Sequence, residues 1–195
     1  MNQSKDHQQL LKLCAAAAMT AIVFAGNYLR VTIPISLGGV TSFTLANILC
    51  ALSGILLGPW WGFVAAGAGS AFYDTTNPAY VSEAPITLCT KGMYGLIAGL
   101  VLYYAFRSVR EKYGPQVVAA ACAAVAYMVV YSAKVFFYNG MLIQGFTEPV
   151  QCWALVVSKL PATLFNGIVA IVGAPILGVA IMKALRSAHL EKMLA

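Results

Sequence analysis

Three lysines sit where a positive charge is unfavourable: Lys91, Lys134 and Lys159 each interrupt a long apolar stretch. An unpaired lysine at the centre of a membrane helix costs about 2.5–3.5 kcal/mol on insertion scales, so three cost on the order of 8–10 kcal/mol unless something offsets them. With their segments read as helices, Lys91 lies six residues past Pro85, Lys134 four before Tyr138 and Lys159 eight past Gln151. At 1.5 Å per residue all three fall about 6–12 Å below one boundary and share a layer. Each also has polar companions at helical spacing. Tyr127, Tyr131, Lys134 and Tyr138 follow at steps of four, three and four, Thr87 and Tyr94 flank Lys91, and Thr163 and Asn166 follow Lys159. Ammonium groups backed by hydroxyls and amides suit the capture of an anion through charge-assisted hydrogen bonds. The competing reading is that the lysines snorkel to the headgroups while the tyrosines form an interfacial belt.

Outer loops are expected to complete the site: Arg30 to Thr41, Asp74 to Ala84 and Asn139 to Val150. Pro34 and Gly38-Gly39 favour a turn-rich first loop that covers the pocket. Asn27 and Arg30, at the end of the first helix, are placed beside Tyr73, Asp74 and Asn77 at the end of the third. Asp74 and Glu83 either touch ligand or neutralise Lys91 and Arg30. Arg30 and the three lysines oppose Asp74, Glu83 and Glu148, a surplus of one, but the acids lie in loops and the lysines in helices. An anionic ligand follows, with acidic vitamins such as pantothenate, lipoate or niacin ahead of neutral ones. A lysine that sheds its proton would accept a neutral ligand as well.

The scaffold that positions these groups is written in the composition. Of 195 residues 61% are hydrophobic and 9% charged, against roughly 25% charged in a soluble domain. Apolar stretches recur from Leu11 to Met182 without a polar block, so a single all-α membrane domain over residues 1–195 is expected. Six spans are predicted at about 11–29, 42–57, 60–73, 85–106, 115–138 and 151–182. Gly58-Pro59 makes the turn between the second and third. The last is either one tilted or kinked helix, bent at Pro161, Gly173 or Pro175, or two short ones. Cytoplasmic termini put Lys5, Lys12, Arg107, Arg110, Lys112, Lys183, Arg186 and Lys192 on the side that collects basic residues. A seventh span, or removal of the first as a cleaved leader, would misplace the basic tail. The net charge of +6 is scattered over helix ends, without the basic stripe of a nucleic-acid binder. Cys14, Cys50, Cys89, Cys122 and Cys152 are singletons with no metal or redox spacing. No cofactor or metal is implied.

Small residues suggest a partner. Ala17, Ala21 and Ala25 form a row that permits close helix approach in lipid, serving either partner docking or internal packing. The third helix is similar, with Gly62, Ala65, Ala66, Gly69 and Ser70. The alanine row, the turn Leu56-Leu57-Gly58-Pro59-Trp60-Trp61-Gly62 and the run Pro161-Ala162-Thr163-Leu164-Phe165-Asn166 together make the chain resemble the substrate-binding S components of energy-coupling factor (ECF) transporters. These are prokaryotic multi-pass membrane proteins that capture vitamins and related micronutrients. The resemblance covers nearly the whole chain. It implies an external binding site under the loop after the first helix, and an alanine face docking onto a transmembrane coupling subunit driven by two cytoplasmic ATPases. The sequence has no G-x-x-x-x-G-K-[ST] phosphate loop, so ATP is left to partners.

An intramembrane enzyme is disfavoured. His7 and His189 lie near the termini, and no H-E-x-x-H or G-x-S-x-G motif occurs. A Ser-Lys dyad is conceivable at Ser158 and Lys159, but adjacent helical residues point about 100° apart, and Ser132 and Lys134 face apart too. A self-sufficient secondary transporter or channel for a small solute remains the alternative, although no internal repeat marks two equivalent halves.

Overall fold

A computed structural model of the chain describes residues 3–34, 40–78 and 80–188. Six α-helices appear in the order expected: α1 (Gln3–Gly26), α2 (Ala46–Leu57), α3 (Pro59–Thr76), α4 (Ala84–Leu100), α5 (Tyr113–Lys134) and α6 (Pro149–Ser187). Proline in the first turn starts α3, α4 and α6, where its missing N–H is no loss. Gly58 takes a φ of 81° between α2 and α3, a left-handed position that a side chain resists. Two π-helical stretches, Val101–Ala105 and Val135–Ile143, prolong α4 and α5.

The structure departs from the sequence reading at two places. After α1 comes an antiparallel hairpin, β1 (Arg30–Pro34) with β2 (Val40–Thr44), where a turn-rich loop was expected. Valine and threonine in both strands favour extended backbone, and Ser42 pairs with Thr32, so the second helix starts at Ala46 and not at Ser42. Gly38 and Gly39 lie outside the described residues. The fifth helical segment runs beyond Tyr138 to Ile143. Of the two forms expected for the last segment, the single helix is found: α6 is continuous, with Pro161 and Pro175 inside it. Its 39 residues extend about 58 Å, well beyond a hydrocarbon core of about 30 Å.

Among the described residues four stretches are long and apolar enough to cross a membrane: Gln9–Gly26, Val81–Ala105, Tyr113–Ile143 and Pro149–Ser187. By contrast α2, with 12 residues, reaches only about 18 Å, and most of its side chains are buried among other helices. The outer surface is apolar, with Trp60, Phe72, Val129, Leu142 and Ile168 all exposed. A face of that kind is stable against lipid and not against water.

The small residues of α3 turn inward. Gly62, Ala65, Ala66, Gly69 and Ser70 are buried, and a Cβ on Gly62 would stand 2.6 Å from the Gly54 Cα of α2. A Cβ on Gly54 would in turn overlap the Gly95 carbonyl of α4. Backbones of three helices therefore touch along this seam, and no flexible side chain can give way. Gly62→Ala is expected to destabilise the protein by about 3 kcal/mol, the upper part of the overpacking range. Thermal unfolding in detergent tests this, and an unchanged transition would mean that the seam can open.

Candidate functional site

The polar side chains gather at one end of the bundle, where the hairpin, the loop before α4 and the ends of α1 and α3 meet α4, α5 and α6. There they line a cavity that opens to solvent. Asn27, Arg30, Asp74, Lys91, Tyr131, Lys134, Lys159, Thr163 and Asn166 all line it. The common depth of the three lysines thus corresponds to one cavity.

Four other expected residues support the wall from behind. Tyr73 is buried with the Arg30 guanidinium 4.1 Å above its ring, and Asn77 donates to the Tyr73 hydroxyl at 3.2 Å. Tyr94 is buried beneath the cavity, its ring 5.2 Å from that of Tyr127. The Tyr138 hydroxyl donates to the Ser82 carbonyl at 2.5 Å and anchors the loop before α4.

The pairing of charges differs from expectation. Glu83 neutralises neither Lys91 nor Arg30, because Lys134 Nζ approaches it at 2.6 Å and the Asn139 amide donates to its other oxygen at 2.5 Å. One of the three lysines therefore has a deep acid after all. Arg30 is held by neutral groups, donating to the Asn27 carbonyl and side-chain oxygens at 2.8 Å each. Asp74 is buried and hydrogen-bonded by Thr87. Lys91 donates to the Asn47 side chain and lies 4.9 Å from the Tyr127 ring centre. Lys159 is buried at the rim of the same space. Among the described residues neither Lys91 nor Lys159 makes an ion pair. Glu148 precedes α6 without a side-chain capping bond and does not line the cavity, so four basic side chains face two carboxylates. The positive surplus is two, where the sequence count gave one.

Glu83→Gln would leave Lys134 buried beside a neutral amide. Removing one partner of a buried pair costs about 3–5 kcal/mol, and the partial exposure of Glu83, 18%, points to the lower end. Combining it with Lys134→Met should recover most of the loss. Thermal unfolding of the single and double variants measures the coupling, and additive effects would show that the pair contributes nothing.

The hairpin contributes Arg30, Thr41, Ser42 and Thr44 to the cavity wall. Asn166 of α6 accepts from the Thr44 N–H and donates to the Ser42 carbonyl, both at 2.8 Å. The Ser42 hydroxyl lies 3.0 Å from that of Tyr80. Sequence reasoning missed Thr41, Ser42, Thr44, Tyr80, Thr90 and Gln144 in the lining, and Asn47 behind Lys91. Only the strand propensity of Val40–Thr44 signalled the hairpin group. At the opposite surface of α1, Ala17, Ala21 and Ala25 are exposed while Ala16, Met19 and Val23 face inward.

The family described as ECF-type riboflavin transporter, S component, matches residues 7–184. The chain belongs to this family. No curated protein matches it. An S component is a transporter subunit and not an enzyme, and the apolar helices of this one accord with a membrane-embedded, multi-pass protein.

Proposed function

We propose that this S component is the high-affinity substrate-binding subunit of an ATP-driven importer in the plasma membrane of a prokaryote. Its substrate is a vitamin-like micronutrient bearing a carboxylate or another anionic group. The cavity's charge carries this reading: Arg30, Lys91, Lys134 and Lys159 against Asp74 and Glu83, with Lys91 and Lys159 outside any ion pair among the described residues. An anion beside those two ammonium groups offsets part of their desolvation. The Asn139 side-chain oxygen, buried and without a hydrogen-bond partner, offers an acceptor to a hydroxyl or amide of the same ligand.

All six helices serve as spans in this reading, with α2 and α3 short and both termini cytoplasmic. The exposed row of Ala17, Ala21 and Ala25 docks onto the transmembrane coupling subunit, which two cytoplasmic ATPases drive. A second reading has riboflavin itself as the substrate. The family's description favours it, and so do the stacked rings of Tyr127 and Tyr131, 5.5 Å apart, beside which a flat uncharged ring system would fit.

Calorimetry on the detergent-purified chain separates the two. Pantothenate, lipoate and niacin are compared with pantothenol, lipoamide and nicotinamide, with riboflavin alongside. The expected result is one acid binding at least about tenfold tighter than its neutral partner, a difference of about 1.4 kcal/mol. Equal binding within every pair would overturn the anionic class, and tightest binding of riboflavin would establish the second reading in its place.

A further inference from the structure

At the far end of α4 from the substrate cavity, Pro59, Tyr103, Tyr104, Arg107 and Arg110 line a second cavity. Two of the five are arginines, and the local backbone brings them together. Residues Arg107–Val109 form a 3₁₀ turn, and Arg110 continues it with φ −57° and ψ −23°. Residues three apart eclipse one another in that geometry, so both guanidinium groups project along one face. Tyr103 forms a fixed wall: its hydroxyl donates to the Leu56 carbonyl at 2.9 Å, and the Arg110 guanidinium lies 4.9 Å from its ring centre.

The depth of this cavity says what it meets. The apolar stretch Val81–Ala105 ends two residues before Arg107, and Tyr104 and Trp60 beside it are 76% and 72% exposed. Aromatic side chains exposed where a span ends mark the membrane interface. We infer that this cavity binds the phosphate of an anionic phospholipid headgroup. Arg107 and Arg110 hold the phosphate oxygens, while Pro59, Trp60 and Tyr104 lie against the glycerol and upper acyl chains. Paired guanidinium donors match a phosphate in shape and charge. A zwitterionic headgroup brings its own cation against the arginines and fits less well.

Native mass spectrometry of the intact detergent-purified chain tests this, with phosphatidylglycerol and phosphatidylcholine of identical acyl chains in equal amounts. The expected result is retention of phosphatidylglycerol over phosphatidylcholine by roughly 30-fold, the scale of two basic residues near an anionic surface. Arg107→Gln with Arg110→Gln should abolish that preference. Lys12→Gln with Lys183→Gln, which removes equal charge elsewhere, should leave it intact. Equal retention of the two lipids by the unaltered chain overturns the inference even if the arginine variant fails to fold. So does loss of preference in the lysine control, which would mean diffuse attraction. Displacement of the lipid by millimolar inorganic phosphate would mark a free-anion site and not a lipid site.

Discussion

Replacing Lys91 and Lys159 together by methionine is expected to weaken binding of the best acidic ligand by two to four orders of magnitude. A hydrogen bond to a charged group contributes about 1.5–3 kcal/mol, and each 1.4 kcal/mol is a factor of ten. These two are the informative pair because Lys134 is already held by Glu83 at 2.6 Å. The ligand-free protein should respond in the opposite direction. Both lysines are buried, 9% and 8% exposed, in the cavity wall, and exchanging an ammonium that has no ion pair among the described residues for an apolar chain of similar length removes a desolvation penalty. The double variant is therefore expected to melt higher than the parent without ligand and to gain less on ligand addition. Calorimetry with the acid selected by the competition panel, together with thermal unfolding, provides both readouts. Unchanged affinity would show that these lysines do not hold the ligand's charge.

Ala21→Trp is expected to reduce uptake to the level of cells lacking the protein while leaving ligand affinity within experimental error. Ala21 is exposed on α1, on the surface away from Ala16, Met19 and Val23. An indole there meets no internal neighbour, so stability should change by about 0.5 kcal/mol or less. Helices that approach through small residues cannot keep that distance around a tryptophan. Uptake is measured in cells co-expressing the coupling subunit and ATPases, and binding on the purified chain. Normal uptake by this variant would remove the alanine row from the docking surface.

Helix positions and the lysine layer were legible in the sequence because both follow from local periodicity. A hydrophobic stretch of known rise fixes depth, and steps of three and four fix a face. Pairing was not legible, since it joins residues far apart. Glu83 meets Lys134 and Asn139 across 51 and 56 residues, and Lys91 meets Asn47 across 44. Nothing local chooses Lys134 over Lys91 as the partner of Glu83. The outcome depends on the loop before α4 being tied to α5 through Tyr138 and Ser82. The hairpin was missed for a different reason: Ser42–Thr44 reads equally well as the first turn of an apolar helix until its pairing with Arg30–Thr32 is seen. The tyrosines of the fifth helical segment divide by depth. Tyr127 and Tyr131 line the cavity, whereas Tyr138 anchors a loop.

The bonds of Asn166 bear on how long a captured molecule stays. One carboxamide serves β2 as a neighbouring strand would, accepting from Thr44 and donating to Ser42, so the strand cannot rise from α6 without losing both bonds in a single event. At about 0.5–1.5 kcal/mol each, their loss makes the raised state roughly 5- to 150-fold rarer than it would be over an apolar residue. In the proposed mode of binding, a solute leaving past β2 waits for that rare event. Its dwell time in the protein then exceeds what its contacts alone would set, and the clock is kept by a residue of the longest helix.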